Sequence, residues 1–177
     1  MNNNTFVHKY IRPLLDKEKT VVDMTAGNGN DTLFLARYAK KVHAFDIDEE
    51  ALKRTYEKVK DHDNVELHLD SHANIDRYVE KDEVSLFIFN LGYLPNSDHS
   101  TPTKANETLK AFQKAYSLLK EKGFIVITFY LRQEGGYDEY YLLDDCIKKN
   151  RLQILEAYVQ DKIDSPITYI IYKSVKD

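Results

Sequence analysis

The chain is predicted to be an α/β protein with an open, mostly parallel seven-stranded sheet and helices on both faces. Three observations predict it. Short β-branched runs alternate with amphipathic helical patterns, as in repeated strand–helix–strand units. The first of those strands runs into a Gly-x-Gly turn that opens a helix, Val21-Val22-Asp23-Met24-Thr25-Ala26-Gly27-Asn28-Gly29-Asn30-Asp31-Thr32. The last two strands are joined only by Gln160 to Pro166, too short for a crossover helix, so they pair antiparallel.

Length and charge bound the rest. At 177 residues the chain fits one domain, 1–177, opened by a helical segment at 1–19. The longest apolar run, Phe124 to Leu131, falls short of the ~20 residues that span a bilayer. Met1-Asn2-Asn3-Asn4 lacks the charged and apolar regions of a signal peptide. With one cysteine, Cys146, no internal disulfide forms, and a cytoplasmic protein without membrane contact is expected. Helical spacing with Leu142 makes Cys146 a core residue. The net charge of −4 excludes the overall basicity of a general DNA or RNA binder. Local patches (Lys9 with Arg12, Lys104 with Lys110 and Lys114, Arg132) can still supply phosphate contacts, although a solvated surface is the simpler account of each.

In chain order, Phe6, Val7, Tyr10, Ile11, Leu14 and Leu15 recur at helical spacing, and Pro13 should bend or break that helix. His8 and Arg12 on it are candidates to face a substrate, with solvated helix positions as the plainer reading. Thr20 to Asp23 is the first strand; Leu33, Leu35, Ala36 and Ala39 give the buried side of the next helix, capped by Asn30 or Asp31. The turn between them suits a cofactor, because residues without a Cβ let the backbone approach a ligand while the helix start presents unpaired N–H groups. Asp23, Thr25, Gly27, Asn28, Gly29, Asn30 and Asp31 are its candidates. The dinucleotide fingerprint would place a third glycine at position 32, where this chain has Thr32.

Val42 to Asp48 is the second strand, and Asp46 lies 17 residues beyond Gly29. An ionised Asp46 can accept both ribose hydroxyls, with Ile47 against an adenine. Asp48 is either a further ligand or the cap of the following helix, whose first turn carries Glu49 and Glu50. Val65 to Leu69 is the third strand, and Asp70, Ser71 and His72 at its carboxyl end are placed for the adenine. The fourth strand, Val84 to Asn90, runs into Asn90-Leu91-Gly92-Tyr93-Leu94-Pro95 and a polar loop with Asp98 and His99. A helix with Ala105, Leu109, Phe112, Tyr116 and Leu119 follows and is stopped by Gly123. Phe124 to Tyr130 is a central strand covered on both faces. The loop Arg132-Gln133-Glu134-Gly135-Gly136 is a substrate-side candidate; a helix through Lys149 and the strands Leu152–Val159 and Ile167–Tyr172 complete the chain.

The Asn90-Leu91-Gly92-Tyr93 tip resembles the Asn-Pro-Pro-Tyr tip of amino-group methyltransferases, in which an Asn side-chain carbonyl and a backbone carbonyl accept hydrogen bonds from the nitrogen being methylated. The whole chain is similar to Rossmann-like class I methyltransferases, which implies the strand order 3-2-1-4-5-7-6. More narrowly, Asp23-x-Thr25-Ala26-Gly27-Asn28-Gly29-x-Asp31-Thr32, Asp70-Ser71-His72 and the Asn90-to-Pro95 tip followed by Asp98-His99 resemble the rRNA-methylase-like family of YtqB type, associated with tRNA wobble-uridine methylation under the name MnmM. That resemblance implies S-adenosylmethionine as methyl donor and 5-aminomethyl-2-thiouridine at tRNA position 34 as acceptor, with the anticodon arm as partner. One departure is visible: where many members carry a Gly-His-x-Gly-Gly-like segment, this chain has Arg132-Gln133-Glu134-Gly135-Gly136.

The site expectations follow. Asn90 and the Leu91 carbonyl orient the nitrogen, Asp98 or His99 accepts its proton, Tyr93 stacks on or walls the base, and Gly92, Tyr130 and Arg132 are further substrate-binding candidates. Ring methylation through a cysteine nucleophile is not expected, since Cys146 is placed away from the strand ends. A small-molecule amine methyltransferase remains open as an alternative, as does a nicotinamide oxidoreductase or a non-catalytic nucleotide-binding module. No metal is expected. A homodimer would give an acidic subunit a broader basic surface for RNA.

Overall fold

Why each segment takes its form is visible in the computed structural model, which describes residues 2–92, 101–159 and 165–175. Helix α1 (Asn3–Ile11) starts where the Asn2 side chain accepts the Thr5 N–H at 2.8 Å. It gives way to a 3-10 turn at Arg12–Leu14, because Pro13 lacks the N–H an α-helix needs. Then come β1 (Thr20–Asp23), α2 (Asn30–Tyr38), β2 (Lys41–Asp46), α3 (Glu49–Val59), β3 (Val65–Leu69) and a second 3-10 turn at His72–Arg77. The second half holds β4 (Val84–Leu91), α4 (Thr101–Leu118), β5 (Leu119–Phe129), α5 (Gly136–Lys149), β6 (Gln153–Val159) and β7 (Ile167–Tyr172).

Among the described residues the strands form one sheet in the order β3-β2-β1-β4-β5-β7-β6. The first five run parallel, and β7 lies antiparallel to both β5 and β6. The expected order and antiparallel end are therefore present. The central strand β4 shows why continuous apolar runs were needed: Leu86 and Ile88 point toward α1 and α2, while Phe87 and Phe89 point into the larger cluster under α4 and α5. Among the described residues, no helix is long and apolar enough to cross a membrane.

Three local expectations change. The α2 cap is Gly29 in a left-handed conformation, φ 74°, and no side chain caps the helix; the carboxylate of Asp31 and the amide oxygen of Asn30 have other partners. Strand β5 begins at Leu119, five residues before Phe124. Lys122 takes φ 62°, and a Cβ on Gly123 would stand 2.6 Å from Leu119 Cδ1, so Gly123 serves a kink inside the strand where a helix stop was expected. Cys146 is only half-buried, near Asn150 and Gln113, and lies off the strand ends as expected.

Helix α1 is fastened to the sheet by a buried polar triad. Asn3 Nδ2 donates to Thr128 Oγ1 at 3.2 Å, Thr168 Oγ1 donates to Asn3 Oδ1 at 2.7 Å, and the two threonine hydroxyls lie 2.9 Å apart. A buried amide left without its donor loses about 1–3 kcal/mol. Thr168→Val is therefore expected to lower stability by about that amount, seen as a lower urea midpoint with an unchanged slope.

Candidate active site

A cavity of about 560 Å³ opens at the carboxyl ends of β1, β2, β3 and β4, the edge where an open α/β sheet binds ligands. Residues 24–28, 30 and 31 line it from the first turn, 45–47 and 70–72 from the ends of β2 and β3, and 90–92 from the end of β4. Lys104, Thr108, Tyr130, Gln133 and Glu139 close the far side.

Each loop is shaped by the acid that ends its strand. Asp23 is fully buried; Thr25 N donates to its Oδ1 at 3.1 Å and Thr32 Oγ1 to its Oδ2 at 2.7 Å. Burial, and then the negative charge of Asp31, pushes its carboxyl up to about 7. Asp46 accepts Gly27 N–H at 2.8 Å on one oxygen and Asp48 N–H at 2.9 Å on the other, which ties the first loop to the second. A carboxylate has about four acceptor positions, so the pair of ribose hydroxyls still has room. Asp70 takes Ser71 N–H, the Asn74 amide and the Tyr78 hydroxyl, and these side-chain bonds, Asn74 first, hold its pKa below the usual range.

His72 Nδ1 lies 2.9 Å from the Met24 carbonyl, an acceptor only. Nδ1 therefore carries the proton and Nε2 keeps its lone pair. Burial lowers the pKa of the ring and keeps it neutral.

The tip of β4 is the most constrained part of the cleft. Asn90 N donates to Thr25 Oγ1 at 2.8 Å, and Asn90 Nδ2 donates to Asp31 Oδ2 at 3.1 Å. Its other amide atom, Oδ1, is buried and has no partner. Because a carboxylate only accepts, Asp31 fixes which way round the Asn90 amide sits. On its other oxygen Asp31 meets His8 Nε2 at 2.6 Å, and the His8 ring stacks on Phe34 with centroids 4.0 Å apart. Burial, then the Asp31 charge, raises the pKa of the Tyr130 phenol.

Of the residues singled out from sequence, Thr25, Gly27, Asn28, Asn30, Asp31, Asp46, Ile47, Asp70, Ser71, His72, Asn90, Leu91, Gly92 and Tyr130 all face this cavity. Six others do not line it. Asp23 lies beneath the loop it shapes. Asp48 caps α3 by accepting Glu50 N–H at 2.9 Å. Gly29 is needed for packing, since a Cβ there would meet Thr55 Cα at 2.8 Å. His8 stands behind Asp31, Arg12 lies over the Tyr38 ring at 4.0 Å, and Arg132 is exposed while its neighbour Gln133 turns inward. Tyr93, Asp98 and His99 lie outside the described residues.

Sequence reasoning marked the loop that holds Gln133 without singling out that residue, whose Oε1 is buried without a partner, and missed Glu139. Glu139 accepts Thr108 Oγ1 at 2.7 Å and lies 3.4 Å from Lys104, and its pKa is raised by burial. A signal existed for Glu139: it shares the helical stripe of Leu143 and Ile147, an acid on the core face of an amphipathic helix.

The seven-stranded sheet, its reversed last strand and a cleft built on the first and fourth strand ends define a Rossmann-like protein of the class I methyltransferase arrangement. Residues 42–173 match the family described as "Putative rRNA methylase", and the chain belongs to that family. It is 32% identical over 147 residues to the chloroplastic tRNA (mnm(5)s(2)U34)-methyltransferase of Arabidopsis thaliana, covering 75% of this chain and 54% of that protein; the chain thus spans about half the length of this relative. A crystal structure described as a putative rRNA-methylase from Clostridium thermocellum superposes with a TM-score of 0.84 at 34% identity, covering 98% of both chains. SMU.1697c, a putative methyltransferase from Streptococcus mutans solved in complex with SAH, gives 0.83 at 34% identity over 97% of both.

Two outcomes check this geometry. Gly29→Ala should cost about 2–4 kcal/mol, combining a left-handed backbone penalty with a clash against Thr55. For Asp23 the folded pKa of about 7 lies above its unfolded value near 3.8, so the folded state binds the extra proton. The stability it contributes is present below the unfolded value and falls as pH rises toward about 7. The stability of wild type relative to Asp23→Asn should therefore decline across that window and level off above it, as urea titrations at stepped pH would record.

Proposed function

We propose that this protein is an S-adenosylmethionine-dependent N-methyltransferase that converts 5-aminomethyl-2-thiouridine to 5-methylaminomethyl-2-thiouridine at position 34 of tRNA. The observation that carries the reading is the Asn90 amide, a lining residue of the cavity held in one orientation by Asp31 with its carbonyl oxygen buried and unpaired. A buried acceptor without a donor is costly, and a substrate amine supplies that donor. The name of the Arabidopsis relative and the SAH complex of the Streptococcus mutans protein support the substrate and the cofactor respectively.

The residues present fit the cofactor. Asp46 keeps acceptor capacity for two ribose hydroxyls, Ile47 is 49% exposed beside it as an apolar surface for the adenine, and Ser71 and His72 close the adenine side. Thr25, Gly27, Asn28, Asn30 and Asp31 form the polar wall along which the amino-acid end would lie. When bound, the cofactor supplies an activated methyl group on a sulfonium. The protein's own part is positioning and dehydration: Asn90 Oδ1 and the Leu91 carbonyl aim the nitrogen lone pair, and Tyr130 and Gly92 wall the base. A polar far wall of Lys104, Thr108, Gln133 and Glu139 offers both donors and acceptors to a thiouracil edge. The anticodon arm is the RNA partner in this reading, and two subunits sharing one arm would supply the basic surface that a net charge of −4 does not. The protein acts in the compartment where its tRNA is modified, the cytoplasm in this reading.

The direct test is transfer of labelled methyl to tRNA from cells lacking this protein, read by nucleoside mass spectrometry. Gain of one methyl on 5-aminomethyl-2-thiouridine is expected; incorporation into a free small amine in place of tRNA would overturn the substrate. Asn90→Ala should reduce turnover about 100-fold, the scale of a misplaced reactant, while calorimetric SAH affinity stays within about threefold of wild type. Sedimentation of the protein with an anticodon-arm RNA should show two subunits per RNA, and a fully active 1:1 complex would refute the shared-arm arrangement.

A further inference from the structure

The reaction proposed above leaves one chemical requirement unmet by Asn90. An aliphatic amine with a reference pKa of ~10.4 is almost wholly protonated at neutral pH, and an ammonium has no lone pair to offer. A proton must leave the amine before the methyl can move, and at neutral pH a group in the cleft that takes it spares the site from waiting for the scarce free amine. The Asn90 amide cannot take it, and burial alone lowers the amine's affinity for its proton without giving that proton a destination.

We infer that Asp31 and His8 together form the proton acceptor for the substrate amine. Asp31 lines the cavity, and its Oδ2 contacts Asn90 Nδ2, the atom adjacent to the carbonyl oxygen that would hold the amine. Its Oδ1 lies 2.6 Å from His8 Nε2, within reach of a charge-assisted hydrogen bond. A proton taken up by Asp31 can therefore pass along that contact to His8. The His8 ring is held by stacking on Phe34, and its side chain is 25% exposed, so the imidazole connects the cleft to solvent.

The step balances. An ammonium N–H bond breaks and its proton passes to the Asp31–His8 pair. The freed lone pair forms the N–C bond as the methyl's bond to sulfur breaks, with that electron pair remaining on sulfur. The product leaves as a secondary ammonium, and the pair returns its proton to solvent through His8. Three other groups face Asp31: Asn90 from β4, buried Asp23 from β1, and Tyr130 after β5, with Asp46 adding its charge behind Asp23. The assignment explains why α1, which supplies no residue of the nucleotide-binding turn, is fastened to the sheet by its own buried triad.

Asp31 would touch the substrate; His8 acts through it. Four proteins test this: wild type, Asp31→Asn, His8→Ala and His8→Gln, each loaded with SAH for binding and with S-adenosylmethionine for turnover. Glutamine can still donate to Asp31 but cannot take a proton near neutral pH. The expected result is a kcat about 100-fold lower for both His8 variants at pH 7, the low end of general acid–base catalysis, with KM within about threefold and the deficit shrinking toward pH 9 as free amine accumulates. Asp31→Asn should also lose at least about tenfold of the preference of the SAH-loaded protein for amine-bearing over unmodified tRNA, a binding readout independent of turnover. Rescue by His8→Gln, or pH profiles parallel to wild type, would overturn the proton role. Wild type without preference for amine-bearing tRNA would instead overturn the substrate reading on which this inference rests. Loss of activity in Asp98 or His99 variants, with His8→Ala fully active, would transfer the proton to that loop and sink the pair.

Discussion

The hydrogen bond from Asn90 N–H to the Thr25 hydroxyl is the constraint on which the rest of the cleft depends. It joins the ends of two neighbouring parallel strands, so the loop after β1 and the tip of β4 are held as one unit. Thr25 occupies a place where a glycine would turn just as well, but a glycine has no hydroxyl to receive that bond. With the backbone of Asn90 anchored, its side-chain amide donates to the Asp31 carboxylate, and its carbonyl oxygen is left buried without a partner. One short bond thus decides the direction of the acceptor on which the proposed chemistry turns.

The same logic recurs around the sheet edge. Asp23, Asp46 and Asp70 each stand at or just past a strand end, and each accepts backbone N–H groups from the loop that follows. Backbone donors at such turns must be satisfied somewhere, and a carboxylate can take several at once. This differs from reading every acid in the region as a ligand. Asp23 is wholly committed to its loop and excluded from the cavity, whereas Asp46 shapes two loops and still faces the ligand space. Placing several negative charges close together has an electrostatic cost, visible in the raised pKa of Asp23 beside Asp31. A site that binds a positively charged sulfonium and an ammonium gains from that arrangement.

The far wall of the cleft is assembled differently. Lys104, Thr108 and Glu139 come from α4 and α5, which pack on each other over the large core cluster, and Gln133 comes from the loop after β5. Thr108 and Glu139 are buried there, and the Glu139 carboxyl, its pKa raised by burial, is met by the threonine hydroxyl and by the partly exposed Lys104. Gln133 adds an unpaired acceptor. The cleft therefore has a charged side formed by strand-end loops and a mixed polar side formed by helices, a division suited to a nucleoside base opposite a cofactor.

The sequence by itself determined the strand segments, the antiparallel end and most of the segments that meet at the cleft, while the order of the strands in the sheet followed only from the resemblance to class I methyltransferases. The segments and the antiparallel end depend on local period, on strand-ending acids and on connection length, all of which are properties of neighbouring residues. It also marked Asn90, because an apolar strand running into a polar tip is a local signal. What it could not separate were residues that line the cavity from residues one layer behind it. Gly29 answers to the approach of α3, Arg12 to the ring of Tyr38 and His8 to Asp31, each through a partner distant in the chain, while for Asp48 the local pattern offered both the ligand and the cap of α3 and only the fold chose the cap. Gln133 and Glu139 entered the site for the converse reason: only the packing of α5 and its preceding loop against β4 and β5 turns them inward. Local patterning fixes where the strands end, but the direction in which a polar side chain points is set by the donors and acceptors that packing brings within reach, and those are decided by the tertiary structure alone.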